Sequence, residues 1–463
     1  MNSTELDSRA GKRWYRWLVL CAMSLVCFAQ YYIYDSITPL ATLIKQDLGF
    51  TGSEYGLLFS AYSAANVFLF MLILAGILVD RLGLKLSGIL YAFLCFAGAA
   101  ITALGALAEL PSILGPLYHW LGHAFLPSWS PELKIMLLGR TIYGVGAEAI
   151  LVVNNKVLAR WFLGKELAFA YGLNLTIMRL GTFLALNLQA PVAQSWGLQS
   201  ALWFAAAIMA LGFGTFFIYL LIEKVAGEGV GRQVRASADS SPEETFHLKE
   251  AFSFDASFWL ITMLCVTFYS AVFPFQAYAP DILVQKFGYS ITRAGTYTSA
   301  LILGTMIFTP ILGWFVDHYG KRATLMIWGS LLLIPCHLLL GMTHFPPVVP
   351  IFVVGIALSL VPAALWAAIP MMVEERHLGT AFGVVGYVQN VGLMLFPYLA
   401  GRIADAYTTV ETVGGERVST VDYTMTMIMF AALGIVGFSF AVALKATDRR
   451  RRDGVSIEEV ILH

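Results

Sequence analysis

Charge is what this sequence has least of. Only 13% of its 463 residues are Asp, Glu, Lys or Arg, where a soluble domain carries about a quarter. The 29 basic and 29 acidic side chains cancel, which argues against a nucleic-acid binder and leaves the basic residues to be judged by where they lie. Cysteine is scarce too. Cys21, Cys27, Cys95, Cys265 and Cys336 all fall inside apolar runs, without metal-ligand spacing and away from any loop that a disulfide would staple. A phosphate-binding G-x-x-x-x-G-K-[ST] is missing, so ATP is not the direct driver. No Ser-His-Asp set, H-E-x-x-H or intramembrane Asp pair supports catalysis, and no cofactor is expected.

What remains is apolar. Hydrophobic residues make up 58% of the chain. They gather in twelve runs long enough to cross a bilayer, near 14–39, 54–79, 86–109, 133–160, 166–190, 197–222, 256–280, 291–316, 322–342, 348–373, 378–404 and 421–445. The basic start resembles a signal peptide. The run from Trp14 to Pro39 is too long for one and lacks a clear small-residue cleavage site, so it reads as a retained first span. Between the sixth and seventh runs, Glu223 to Glu250 is polar and rich in Gly, Ser and charge. The expected organisation is a tail at 1–13, a six-helix bundle at 14–222, a linker at 223–255, a second six-helix bundle at 256–445 and a tail at 446–463. Of the 29 Lys and Arg, 20 lie in segments on the side of the N-terminus, 6 in the opposite loops and 3 within spans. That asymmetry places both termini in the cytoplasm. The fold class is an all-α membrane protein of twelve transmembrane helices in two pseudo-symmetric six-helix bundles.

The two halves repeat one another. Gly49 and Gly56 match Gly288 and Gly295 at an offset of 239; Gly76, Asp80 and Gly83 match Gly313, Asp317 and Gly320 at an offset of 237. A third match aligns 170–181 with 381–392 at an offset of 211. Two parallel six-span repeats are a transporter architecture, with the substrate site expected between them near the midplane.

Against this apolar background, Arg140 and Glu148 lie in the fourth run and Arg179 in the fifth, around the short turn W-F-L-G-K-E-L. Ionised groups in hydrocarbon cost about 2.5–3.5 kcal/mol each on the insertion scale, so they persist mainly where paired or facing water. Glu148 lies 13 residues before Trp161, and Arg179 lies 13 residues after Glu166. At ~1.5 Å rise per residue both stand about 20 Å from the turn, a carboxylate and a guanidinium at one depth on antiparallel helices. Two readings stand: a structural ion pair, or the two poles of a site for a zwitterion. Arg140, eight residues from Glu148 with Gly144 between, shares its helical face. It reads as a second anion anchor, a gate residue or a structural group.

Other polar side chains fall where a cavity would be. One of Asn154 and Asn155 is expected to face it. Tyr31 and Asp35 share one face of span one, whereas Tyr32 reads as an interfacial anchor. Pro274 is expected to break span seven, with Tyr269, Gln276 and Tyr278 around the break. Gln389 and Asn390 are the repeat counterparts of Met178 and Arg179, so the second half keeps polarity without charge. The segment from Glu109 to Glu132 reads as an interfacial loop; Gly122 weakens a helix there, and His119 and His123 lack a third metal ligand.

G-x-x-x-D-R-x-G-x-K, carried by Gly76, Asp80, Arg81, Gly83 and Lys85, resembles the signature of the major facilitator superfamily, and the resemblance covers nearly the whole chain. It implies a transporter in which this loop holds the cytoplasmic gate without touching substrate. Gly76 is expected to let helices approach, Asp80 to offer charge to a helix N-terminus and Gly83 to make a tight turn. In the second copy, with Gly313, Asp317 and Gly320, Arg81 is replaced by His318. R-x-x-Y-G-x-G-x-E, N-N, G-K-E-L-A-F-A-x-G-L and M-R-x-G, between Arg140 and Gly181, are similar to a narrower branch. That branch is the lysosomal dipeptide uniporters of the major facilitator superfamily domain-containing protein 1 type, with their bacterial relatives. The resemblance implies facilitated diffusion of dipeptides, an acid on span four and an arginine on span five engaging the two charged ends. The matching positions are Glu148 and Arg179. There is no [DE]-x-x-x-L-[LI] sorting signal, and N-x-[ST] occurs only at Asn2 and Asn174, in the tail and within a span. A lysosomal location and a glycosylated accessory subunit are therefore not expected.

The reading is a secondary transporter of small zwitterionic solutes, foremost dipeptides, by alternating access. Uniport is favoured because span one lacks the E-x-x-E-[RK] of proton-coupled peptide carriers. Candidate substrate contacts are Glu148, Arg179, Arg140, Tyr31, Asp35, Asn154, Tyr269, Gln276 and Asn390. The expected partners are the solute and the lipid bilayer, with no nucleic acid, for a monomer in the inner or plasma membrane of the cell. The rival is a proton-coupled carrier of organic anions, in which Arg140 and Arg179 bind the carboxylate and Glu148 carries the proton.

Overall fold

The computed structural model describes residues 3–124, 126–162, 166–226, 254–374, 377–413, 416–448 and 456–458. Most of the expected linker and of the C-terminal tail lies outside them. Among the described residues, ten helices are long and apolar enough to cross a membrane. Two of these helical stretches conceal a turn, because Gly83 (φ 79°, ψ 160°) interrupts Met71–Gly105 and Gly197 (φ 84°, ψ 164°) interrupts Leu167–Ala226. A left-handed φ of this kind is open to glycine and strained for other residues, so each marks the end of one span and the start of the next. Gly52–Phe68, a helix of 17 residues, continues past Leu69 and Phe70 into 71–82.

Counted at these breaks, the spans among the described residues are twelve. Span one is Ser3–Asp35, span two is Gly52–Phe68 with 71–82, span three is 84–105 and span four is Pro131–Phe162. Spans five and six are 167–196 and 198–226. Spans seven to twelve are Ala256–Phe287, Ile291–Tyr319, Arg322–Met342, Val348–Ala368, Leu378–Ala406 and Thr424–Asp448.

Local details depart from expectation for physical reasons. Span one stops at Asp35 because Pro39 has no N–H for the carbonyl four residues back; a turn at Thr38–Leu40 and a short helix at Ala41–Asp47 follow. Span seven does not break at Pro274. It runs as one helix of 32 residues through Pro274 and Pro280, buried on most of its surface, so packing holds what one missing ladder bond weakens. The Glu109–Glu132 segment is helical at Leu110–Leu114 and Pro116–His123, straight through Gly122, with Ile113, Leu117 and Trp120 exposed. Between spans eleven and twelve an antiparallel hairpin forms, β1 (Thr408–Val413) and β2 (Glu416–Val421), with Thr408 opposite Val421. Its Thr and Val residues are those that favour strands.

The helices group into two compact units. The first comprises Met1–Ser36, Phe68–Ala185 and Gln199–Glu243; the second comprises Ile37–Val67, Leu186–Leu198 and Glu244–His463. The segment between spans one and two, the first part of span two and the turn between spans five and six therefore pack with spans seven to twelve.

Candidate functional site

In the first unit the polar centre is built on spans one, four and five. Span five meets span one at Gly181, where an added Cβ would stand 2.3 Å from the Phe28 carbonyl oxygen. Two residues earlier, the Arg179 guanidinium carbon lies 5.8 Å from the centre of the Tyr31 ring, within cation–π range. Tyr31 also feels the charges of Glu148 and Asp35, and Tyr34 those of Asp35, Arg140 and Glu148. The structure thus brings five expected residues into one cluster: Tyr31, Asp35, Arg140, Glu148 and Arg179. Glu148 and Arg179 are half-buried, which leaves each a surface for a ligand.

Arg140 has a different setting. It is 1% exposed, and its guanidinium donates to the carbonyls of Ile33 and Tyr34, each at 3.2 Å. These belong to the last turn of span one, whose carbonyls have no helical N–H to accept from. The Tyr143 hydroxyl adds a bond to the Gln30 carbonyl at 2.5 Å. Arg140 therefore fixes the end of span one, and with it the presentation of Tyr31, Tyr34 and Asp35. Tyr32, expected at the interface, is instead fully buried beside Phe28 and Phe204; with span one packed on spans five and six, that face points into the bundle.

Asn154 is likewise engaged in packing. Its amide donates to Asn174 Oδ1 at 3.1 Å, and Asn174 donates to Ser24 Oγ at 2.9 Å, a buried knot of spans one, four and five. The exposed member of the N-N pair is Asn155. Asn174 and Ser24 escaped the sequence reading, although a polar residue on span five in register with Asn154 was a usable signal.

Tyr269, Gln276 and Asn390 belong to the second unit. The Tyr269 hydroxyl accepts from Trp366 Nε1 at 3.1 Å. Asn390 donates to the Gly386 carbonyl at 3.0 Å, and its Oδ1 accepts from Asn66 at 3.4 Å. Gln276 is buried.

In the gate segment, Gly83 and Gly320 both have positive φ, at 79° and 63°. The Asp80 carboxylate pairs with Lys156 of span four on an exposed surface, while Arg81 and Lys85 are exposed. Gly76 does not serve the close approach expected of it. A Cβ there, or at its counterpart Gly313, would meet nothing within 4 Å. Asp317 is exposed too, and His318 Nδ1 donates to the Trp314 carbonyl, 2.9 Å away.

Two other repeat glycines, Gly56 and Gly295, do meet close neighbours. A Cβ on Gly56 would stand 2.3 Å from the Pro397 carbonyl oxygen, and one on Gly295 would stand 2.3 Å from that of Leu186. Just before them, Gly49 and Gly288 turn the chain with φ of 70° and 67°. The same region of the second unit holds a polar cluster that the sequence reading missed. Asp281, fully buried, pairs with Lys45 and accepts from the hydroxyls of Thr42 (2.7 Å) and Tyr423. Thr42 and Asp281 are counterparts at the same offset of 239, so the repeat itself was the signal. Beside them the Asp405 carboxylate caps the start of span two, accepting from the N–H of Gly52 (2.5 Å) and Ser53 (2.8 Å).

Comparison with known proteins agrees with this architecture. The lysosomal dipeptide transporter MFSD1 of Danio rerio is 28% identical over 398 residues, covering 84% of this chain and 81% of that protein. Its Mus musculus counterpart is 29% identical over 401 residues, covering 85% and 81%. The hexuronate transporter of Bacillus subtilis (strain 168) is 23% identical over 399 residues, covering 80% and 84%. Two solved structures share the fold. The nucleoside transporter NupG has a TM-score of 0.68 at 17% identity, covering 92% of this chain and 98% of that one. A bacterial homolog of the human lysosomal transporter Spinster, inward-facing and occupied, has a TM-score of 0.67 at 15% identity, covering 94% and 97%. The family model described as Major Facilitator Superfamily matches residues 20–280 and 267–460. Matched through both halves, this multi-pass membrane protein belongs to the Major Facilitator Superfamily.

Proposed function

We propose that this secondary transporter carries small zwitterions, dipeptides first among them, as a uniporter working by alternating access. Glu148 receives the ammonium end and Arg179 the carboxylate end. The observation that carries this reading is the placement of a half-buried carboxylate and a half-buried guanidinium around one phenol, Tyr31, deep in the first unit. Asp35 adds a second negative charge at the ammonium side. Arg140 and Asn154 act through the positions of spans one, four and five. The names of the MFSD1 relatives support dipeptides as the class. Both termini are placed in the cytoplasm by the distribution of Lys and Arg, and the absence of a lysosomal sorting signal favours the inner or plasma membrane.

The test uses dipeptides blocked at one end. A hydrogen bond to a charged group contributes about 1.5–3 kcal/mol, so Glu148→Gln and Arg179→Ala are each expected to weaken binding of glycylglycine at least about tenfold. An N-acetylated dipeptide should bind the parent weakly and lose much less on Glu148→Gln, which no longer awaits an ammonium group. An amidated dipeptide should behave likewise toward Arg179→Ala. If both blocked ligands bind the parent as well as glycylglycine does, the pair is structural.

The name of the hexuronate relative supports an organic anion as substrate, and in this second reading the carrier is proton-coupled with Glu148 as proton carrier. Strict dependence of glycylglycine uptake on an inward proton gradient would select it. Exchange across liposomes without a gradient selects uniport.

A further inference from the structure

Span nine begins on a residue that cannot cap it. The position before its first turn holds Lys321, at φ 51°, whose side chain has no oxygen to accept the N–H of Thr324. Span eight meets the same need locally, since Ser290 Oγ accepts from the N–H of Arg293 at 3.3 Å. For span nine the acceptor comes from the C-terminal tail, 134 positions away. Glu458 Oε1 accepts from the Thr324 N–H at 2.8 Å, and the Thr324 hydroxyl donates to the same carboxylate at 2.9 Å. A negative charge there also answers the partial positive charge of a helix start.

The two residues before Glu458 tie the same segment to the end of span twelve. The Ser456 hydroxyl donates to Asp448 Oδ2 at 2.5 Å and the Ile457 N–H donates to Asp448 Oδ1 at 3.1 Å, so one buried carboxylate holds both. The Ile457 side chain is fully buried. Its carbonyl accepts from the Arg322 guanidinium at 3.4 Å, and the Glu458 carbonyl accepts from the Lys321 N–H at 3.0 Å. Chain termini are ordered only where something ties them down. Here the tie is one apolar anchor flanked by polar contacts, the footprint by which a groove captures a short peptide. The contact falls on one copy of the gate motif. Arg322 and Lys85 are counterparts at the offset of 237, yet Lys85 is exposed and Arg322 is buried under the tail. The first copy meets span four instead, through Asp80 and Lys156.

We propose that the start of span nine and the end of span twelve form a binding site for a short peptide of the pattern Ser-aliphatic-Glu, filled in cis by Ser456–Glu458. The chain's own tail is thereby a detachable cap for span nine, and it ties the turn of the second gate copy to span twelve. The inference needs no assumption about the transported solute.

The test compares the full-length parent with the full-length double variant Ile457→Asp, Glu458→Lys, whose changes lie in the tail and leave the spans intact. Amide hydrogen exchange is followed by mass spectrometry. The first turn of span nine, Thr324 included, is expected to exchange about fivefold faster in the variant, the ratio that loss of a cap commonly produces. The first turn of span eight, capped by Ser290, should be unchanged. Ser456→Asp, which sets a carboxylate against Asp448, should speed exchange in the same way. The probe for the vacated site is a fluorescent, end-blocked peptide of residues 454–460, Gly-Val-Ser-Ile-Glu-Glu-Val. It is expected to bind the double variant about tenfold more tightly than the parent, in which only sites the tail has left can bind. Bound at saturation, it should return exchange at span nine to the parental rate, and the same peptide carrying Glu458→Lys should not. Parental exchange at span nine in the double variant, or fast exchange that the saturating peptide leaves unchanged, overturns the proposal.

Discussion

Replacing Gly56 by alanine tests whether the outer contact of span two is a backbone-to-backbone seal. The new Cβ would stand 2.3 Å from the Pro397 carbonyl oxygen and 2.6 Å from the Tyr278 hydroxyl. Ordinary C···O contacts are about 3.3–3.6 Å, so spans two and eleven must separate by about 1 Å. Overpacking of this kind costs about 1–3 kcal/mol. Tyr278, which donates to the carbonyls of Gly52 (2.7 Å) and Pro397 (3.1 Å), would be displaced as well. Each such bond contributes about 0.5–1.5 kcal/mol. A combined penalty of about 2 kcal/mol or more shifts a two-state equilibrium by roughly thirtyfold toward the state in which this contact is absent. Maleimide labelling of Ala277→Cys from outside is expected to rise accordingly, and Gly295→Ala, facing the Leu186 carbonyl at 2.3 Å, should match it. Gly76→Ala and Gly313→Ala are the controls, since nothing lies within 4 Å of either new methyl. If Gly56→Ala labels at the parental rate and melts at the parental temperature, the contact is not a seal and the reasoning fails.

Arg140→Lys keeps the charge but loses the fork that serves two carbonyls. It should lower the melting temperature by the equivalent of about 1.5–3 kcal/mol, the value of one hydrogen bond to a charged group, and weaken glycylglycine binding with it; an unchanged melt would remove Arg140 from its positioning role. Asp80→Asn breaks an exposed pair with Lys156 whose side chains are 70% and 39% exposed. Stability should change by less than about 1 kcal/mol, while cytoplasmic cysteine accessibility increases. Loss of transport with unchanged accessibility would instead put Asp80 in contact with substrate.

The sequence by itself determined the number of spans and, as expectations, the two-fold repeat and the depth of Glu148 and Arg179. These follow from rules that need no partner: a bilayer demands about twenty apolar residues per helix, and rise per residue converts sequence distance into depth. It also marked Gly49, Gly56, Gly83 and their repeat counterparts, because a positive φ or a missing side chain leaves glycine in both copies. What each residue touches was decided by the rotation of each helix about its axis, which only packing sets. That rotation turned Tyr32 inward, joined Asn154 to Asn174 and Ser24, and gave Arg140 to the end of span one. It left Gly76 facing open space while its neighbour in the repeat, Gly56, met a carbonyl. Lys45 and Asp281 are 236 positions apart at the ends of two apolar runs, where isolated charges look solvated. Only the tertiary fold, by bringing the short helix after span one against span seven, made them a buried pair.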